Sequence, residues 1–174
     1  MDFTVFSQSP ELTAFAEHLL EEAFPVEERP LFDTIQKRDN DIYHLCVVEN
    51  DGTMLGILAY WSFDKVVYIE HFAVCKELRN KGLGGAVLDK FLSLQPMGTQ
   101  VVLEAELPDN PLAQRRIEFY QRHGFCLNNY EYLQPPYHSG NGFLPMLLLS
   151  RKPLNQREFE EIRGVLYNKV YGSG

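Results

Sequence analysis

The stretch FAVCKELRNKGLGGAVL, residues 72–88, decides how this chain is read. It opens as the end of an apolar strand, VVYIEHFAV (66–74). It runs through a charged, glycine-rich segment (75–85) and closes as the start of GGAVLDKFLSL (84–94). There apolar residues recur at 87, 88, 91, 92 and 94, a helical period. Strand, glycine loop and helix start are the parts of an anion site, because the first N–H groups of a helix lack intrahelical acceptors and carry partial positive charge. Gly82, Gly84 and Gly85 would let a pyrophosphate approach the backbone without meeting Cβ atoms. Lys76, Arg79 and Lys81 against Glu77 leave the segment at +2. The G-K-[ST] ending of a P-loop and the G-x-G-x-x-G spacing of a dinucleotide fold are both missing. Read alone, the segment is either an anion-binding turn or a glycine-bearing turn with solvated charges.

Upstream, FTVF (3–6) is a short β-prone run. PELTAFAEHLLEEAF (10–24) reads as a helix, with Ser9 as N-cap and Pro10 in the first turn, and a weaker helix is expected over 30–37. IYHLCVVE (42–49) and MLGILAYWSF (54–63), joined through Asn50-Asp51-Gly52, predict a hairpin, with 66–74 as a third strand. Downstream, VVLEA (101–105) is a strand and 111–122 a helix with Leu112, Ile117, Phe119 and Tyr120 inward; Gly124 terminates it. Strand segments follow at 125–127 and 130–133, then a loop over 134–142 and a last strand over 143–150, where Pro145 marks a bulge or an edge. NQREFEEIRGVLYNKVY (155–171) is a terminal amphipathic helix built on Phe159, Ile162, Leu166 and Val170. This order is that of an α/β domain with a mixed sheet, and the unit over 66–105 should form a parallel right-handed crossover.

A chain of 174 residues fits one domain and can bury a core without a disulfide or metal staple. With 45% apolar and 23% charged residues it is an ordinary globular chain. Lys+Arg 16 against Asp+Glu 24 gives −8, which argues against a general nucleic-acid binder; an anionic ligand has to be held by a local feature. Cys46, Cys75 and Cys126 are odd in number, widely spaced and without C-x-x-C, which reads as reduced thiols and no metal site. The N-terminal MDFTVFSQSP lacks the pattern of a signal peptide, and the longest aliphatic run, near 146–149, is far too short for a membrane span. A soluble, cytoplasmic protein is expected, with no nucleic-acid or membrane partner.

The turn also resembles motif A of the GNAT superfamily of N-acetyltransferases, whose core is R/Q-x-x-G-x-G/A; here it reads Arg79-Asn80-Lys81-Gly82-Leu83-Gly84, with Gly85 following and Phe72-Ala73-Val74 before it. IEFYQRHGF (117–125) is similar to the family's later helix, where an aromatic–Tyr pair precedes Gly-Phe. Ala113 stands where that family often has Asn, and Arg116 where it often has Ala. The resemblance covers most of the chain except the terminal helix, giving a GNAT-like domain over 1–152 and a C-terminal helical extension, 153–174, packed on it.

What the resemblance implies is a mixed, mostly antiparallel sheet with a splayed parallel strand pair flanked by helices. It also implies acetyl-CoA as co-substrate, no metal, and a primary-amine acceptor, small molecule or peptide, attacked directly in a ternary complex by a monomer or homodimer. Phe72, Ala73 and Val74 would bind the pantetheine arm, and Arg79, Asn80, Lys81, Gly82, Leu83, Gly84 and Gly85 the pyrophosphate. Tyr120 would protonate the leaving thiolate. Glu70 and His71, which interrupt an apolar strand, are the candidate bases; Ile69, Phe72 and Val74 cannot share one face of a regular strand, so a bulge near His71 is expected. Arg115 or Arg116 is a further candidate cofactor contact. FPVEERP (24–30) would be an acceptor loop, with Glu27 and Glu28 facing the amine; Tyr130, Tyr132 and Tyr137 are either an acceptor wall or an ordinary aromatic-rich loop. The competing class is a catalytically silent acyl-CoA-binding sensor or partner domain.

Overall fold

A computed structural model describes residues 1–39 and 41–172, which group into two units, one over Met1–Thr99 and one from Gln100 onward. In the first unit, β1 (Asp2–Val5), β2 (Tyr43–Asn50), β3 (Thr53–Phe63) and β4 (Val66–Val74) pair antiparallel in that order. The β2–β3 turn holds Asp51 at φ 50° and Gly52 at φ 76°. Two consecutive left-handed residues make the primed turn that matches strand twist, which is why Asn-Asp-Gly marked the hairpin. Helix α1 (Pro10–Ala23) begins where the Ser9 hydroxyl accepts from the Leu12 N–H at 3.2 Å, and it buries Ala16, Leu19 and Leu20. The helix expected over 30–37 is a single turn, α2 (Phe32–Ile35). Phe32 and Ile35 anchor it, and no apolar residue follows before Ile42 to extend a buried stripe. Helix α3 (Leu83–Ser93) buries Val87, Leu88 and Phe91, each contributing roughly 1.5–3 kcal/mol by leaving water.

The second unit is built on β8 (Leu144–Ser150). Strand β5 (Gln100–Glu106) lies antiparallel along one side of it, and β6 (Cys126–Leu127) and β7 (Tyr132–Gln134) pair with its other side. Pro145 sits in regular register opposite Leu133, just beyond the end of β5, where no ladder N–H is asked of it.

Helix α4 (Pro111–Arg122) buries Ala113, Ile117 and Tyr120, a stripe spaced four and three residues apart. Leu112, expected inward, is 64% exposed because the smaller Ala113 occupies the inward position. Helix α5 (Gln156–Lys169) opens on a capping box between Asn155 and Glu158 and buries Phe159, Ile162 and Leu166, while Val170 is half-buried. Residues 173 and 174 of the expected extension lie outside the described residues. Among the described residues, no helix is long and apolar enough to cross a membrane.

Candidate active site

In the first unit the site residues stand on β4 and the turn after it. The β3–β4 register pairs Tyr60 with Ile69 but Ala59 with His71, so Glu70 is the extra residue of a bulge. The bulge thus lies next to His71, where the apolar pattern placed it. It lets Glu70 and His71 both turn inward: the Glu70 side chain is fully buried, and His71 is 3% exposed. Glu70 as a whole residue nonetheless retains exposed surface, and with its side chain sealed that surface is main chain.

Glu70 meets Arg38. The guanidinium donates to both carboxylate oxygens, Nη1 to Oε2 at 2.6 Å and Nη2 to Oε1 at 3.1 Å, and it lies over the rings of Tyr43 (4.4 Å) and Trp61 (4.8 Å). Burial alone would push the Glu70 carboxyl up; the Arg38 charge and hydrogen bonds, with His71 beside it, hold it instead at about 2. A carboxylate that is ionised, sealed and held by a bidentate fork is a poor proton acceptor at neutral pH. The geometry of Glu70, expected as a base, is that of an anchor. His71 Nε2 lies 3.0 Å from the Glu28 carbonyl; a carbonyl only accepts, so this nitrogen carries the proton. His71 also meets the Phe24 ring edge-on at 4.7 Å. Glu27 is exposed and Glu28 half-buried.

The turn is fastened before it reaches the helix. The Cys75 N–H donates to the Leu55 carbonyl at 2.9 Å, a short 3-10 turn spans Lys76–Leu78, and Arg79 Nε folds back to the Val74 carbonyl at 2.9 Å. Asn80 (φ 62°) and Gly82 (φ 76°) are both left-handed and swing the chain into α3. Gly82 is the N-cap and offers no side chain; the first helical bond is Ala86 N–H to the Gly82 carbonyl at 3.2 Å. The Leu83, Gly84 and Gly85 N–H groups therefore have no acceptor within the helix. Arg79, Asn80, Lys81 and Gly82 are exposed, Leu83 and Gly84 half-exposed and Gly85 buried. A Cβ at Gly82 would meet open space, so the protein itself demands glycine there for its positive φ.

In the second unit Tyr120 is buried against Phe119 (centroids 5.3 Å) and Phe125 (5.8 Å). Burial pushes its phenol up to about 12, with the Arg116 charge opposing, so it stays protonated at neutral pH. The helix stop explains part of the motif around it. The Phe125 N–H donates to the Tyr120 carbonyl and the Gly124 N–H to that of Gln121, with Gly124 at φ 80°. This is a Schellman cap, and the Tyr120–Phe125 ring contact is its usual hydrophobic partner. Aromatic–Tyr followed by Gly-Phe therefore encodes helix termination as well as any chemistry. Arg116 is paired with Glu106 at 2.7 Å.

Sequence reasoning missed two groups. Arg38 carries no local signal, since its partner is 32 residues away. Glu104 on β5 accepts from Tyr132, from Gln134 and, at 2.7 Å, from the Tyr171 hydroxyl beyond α5. Burial and the adjacent Glu104 charge push the Tyr132 phenol far up. A carboxylate within the otherwise apolar run VVLEA was the available signal for this cluster. Tyr132 is thus a core phenol, and the Tyr137 ring meets that of Tyr171 at a tilt, centroids 5.1 Å apart.

Residues 12–125 match the profile of the Acetyltransferase (GNAT) family. The chain belongs to the GNAT family. A GNAT-family protein from Bacteroides thetaiotaomicron has a solved structure that covers 99% of this chain and 99% of its own, with 37% identity and a TM-score of 0.92. YjbC of Bacillus subtilis (strain 168) is 32% identical over 111 residues, 61% of this chain and 54% of YjbC, so the GNAT chain here spans about half the length of that curated relative. An aminoglycoside 6'-N-acetyltransferase solved with coenzyme A shares the fold, at 14% identity and a TM-score of 0.62 over 90% of this chain and 100% of its own. The GNAT fold is a mixed α/β fold with a mostly antiparallel sheet flanked by helices, the class expected from the sequence.

Proposed function

We propose that this protein transfers an acetyl group from acetyl-CoA to a primary amine by direct attack in a ternary complex. The observation that carries the reading is the turn after β4: two left-handed residues lead into an uncapped helix start, where the Leu83, Gly84 and Gly85 N–H groups lack acceptors within the helix and the exposed Arg79 and Lys81 precede them. These groups would hold the pyrophosphate, and the main chain of Phe72, Ala73 and Val74 the pantetheine arm. The exposed main chain at Glu70 would receive the thioester oxygen as charge develops on it. The amine nitrogen attacks the carbonyl carbon, the carbon–sulfur bond breaks, and the amide forms. Tyr120 would give its phenolic proton to the departing thiolate and recover one from solvent. The proton lost by the amine passes to water, since Glu70 is held by Arg38. Holding amine and thioester together would supply much of the rate.

The sealed Glu70 is also what favours the second reading, a silent acyl-CoA-binding domain. Calorimetric titration with CoA, followed by thiol release from acetyl-CoA across an amine panel, tests both. Binding with release supports the transferase, binding without release with any amine supports the silent domain, and no binding removes both.

A further inference from the structure

Glu70 and His71 are adjacent, yet they reach opposite ends of one connection. His71 holds its beginning, through the Glu28 carbonyl at 3.0 Å and the Phe24 ring at 4.7 Å. Glu70 holds its end, through the bidentate bond to Arg38. The connection between carries only the 3-10 turn Val26–Glu28 and the one-turn helix Phe32–Ile35. Between its ends Arg29, Phe32 and Ile35 are buried, and Arg29 Nε donates to the Phe24 carbonyl at 3.2 Å, while Val26 is 45% and Leu31 53% exposed. With so little regular structure of its own, the segment depends on side-chain contacts for its position.

The Arg38 end is built as a rigid seat. Tyr43 and Trp61 face each other across β2 and β3, their rings 5.0 Å apart, and the guanidinium lies over both. Both rings are nearly sealed, at 2% and 4% exposure. A planar fork matched to a carboxylate and stacked on two rings has few alternative placements, and a lysine cannot reproduce it.

We infer that Glu70 and His71 are positioning residues that fasten both ends of the Phe24–Arg38 connection to the β4 bulge, so that the connection and the exposed bulge main chain move as one element. An occupant of either place then biases the other, and the bias is reciprocal. The inference rests on the acetyl-transfer reading only for its consequence in catalysis; the mechanical tie stands apart from it.

The test is hydrogen–deuterium exchange with kinetics on the full chain and on Glu70→Gln, Arg38→Lys and their double variant, with thermal melting to establish folding. In the folded, ligand-free variants, amides over 31–38 and 66–74 should exchange faster than in the parent. His71→Leu should speed 24–30 and leave 31–38 slow. In the parent, CoA should slow exchange over 24–38, and this effect should vanish in the double variant. Each single change should lower kcat by roughly tenfold or more, the scale of a small misplacement, and the double should lose no more than the worse single.

Unchanged exchange over 31–38 and 66–74 in the folded variants overturns the inference whatever the activity. Losses that multiply in the double variant overturn it too. A Glu70→Gln protein that alone loses the acid limb of the kcat/KM profile, while Arg38→Lys keeps it, returns Glu70 to the role of base. If Arg38→Lys does not fold, Glu70→Gln and His71→Leu still decide through their separate exchange patterns. A parent that binds no CoA removes the proposed reaction but leaves the ligand-free exchange result to judge the tie.

Discussion

A methyl group placed on Gly56 would lie 2.3 Å from the carbonyl oxygen of Ala73. β3 and β4 therefore touch backbone to backbone where β4 delivers Phe72–Val74 to the glycine turn. Gly56→Ala has to push the strands apart, at a cost of about 1–3 kcal/mol. Urea unfolding should show the lower midpoint, and CoA titration a weaker affinity. A parent-like midpoint would mean that the ladder yields freely at this point.

Gly82 and Gly84 should separate backbone need from ligand need. Gly82→Ala forces an L residue to φ 76°, a strain of roughly 1–2 kcal/mol, and so should lower both the melting temperature and CoA affinity. Gly84→Val introduces a branched side chain beside the open N–H groups of the first turn of α3, where CoA affinity should fall roughly tenfold or more while melting changes little. Full CoA affinity in folded Gly84→Val would remove the turn as the pyrophosphate site.

Tyr120→Phe should leave the Schellman contact to Phe125 and the melting temperature in place. It should lower kcat at saturating acetyl-CoA by roughly 10²-fold, the scale of one positioned acid. Tyr120→Ala should instead cost about 3–5 kcal/mol of stability, because the buried ring is lost. A normal kcat in Tyr120→Phe assigns the residue to packing alone.

Glu70 sets a pH signature. Its carboxyl is held at about 2 in the fold against an ordinary 4.5. A depressed acid contributes stability that is fully present above the unfolded value and is lost as pH falls from about 4.5 through about 2. The contribution is on the order of 3 kcal/mol. Urea unfolding between pH 7 and pH 3 should show more than half of this loss in the parent and a shallower one in Glu70→Gln. Equal slopes would mean that Arg38 does not hold the charge.

Elements with a local cause were legible in the sequence. The Asp51-Gly52 turn, the Ser9 and Pro10 start of α1 and the Gly124 stop each follow from a few adjacent residues. The bulge near His71 was legible from an apolar pattern that no flat strand satisfies. The fate of Glu70 was hidden because it depends on Arg38, which lies 32 residues away in the chain. Leu112 misled because size suggested burial, whereas the helical phase gave the inward position to Ala113. Glu104 was passed over because its three donors come from β7 and the end of the chain.

The pair of fastenings at Glu70 and His71 also divides the Phe24–Arg38 connection for protein engineering. Its two ends are fixed points, and Pro25, Glu27, Leu31, Asp33, Thr34, Gln36 and Lys37 between them are exposed and take no part in the Glu70 and His71 contacts. Sequence libraries confined to those positions would vary the outward face while leaving both fastenings in place. Grafts that replace Arg38 or displace Phe24 would instead release one end of the connection from β4.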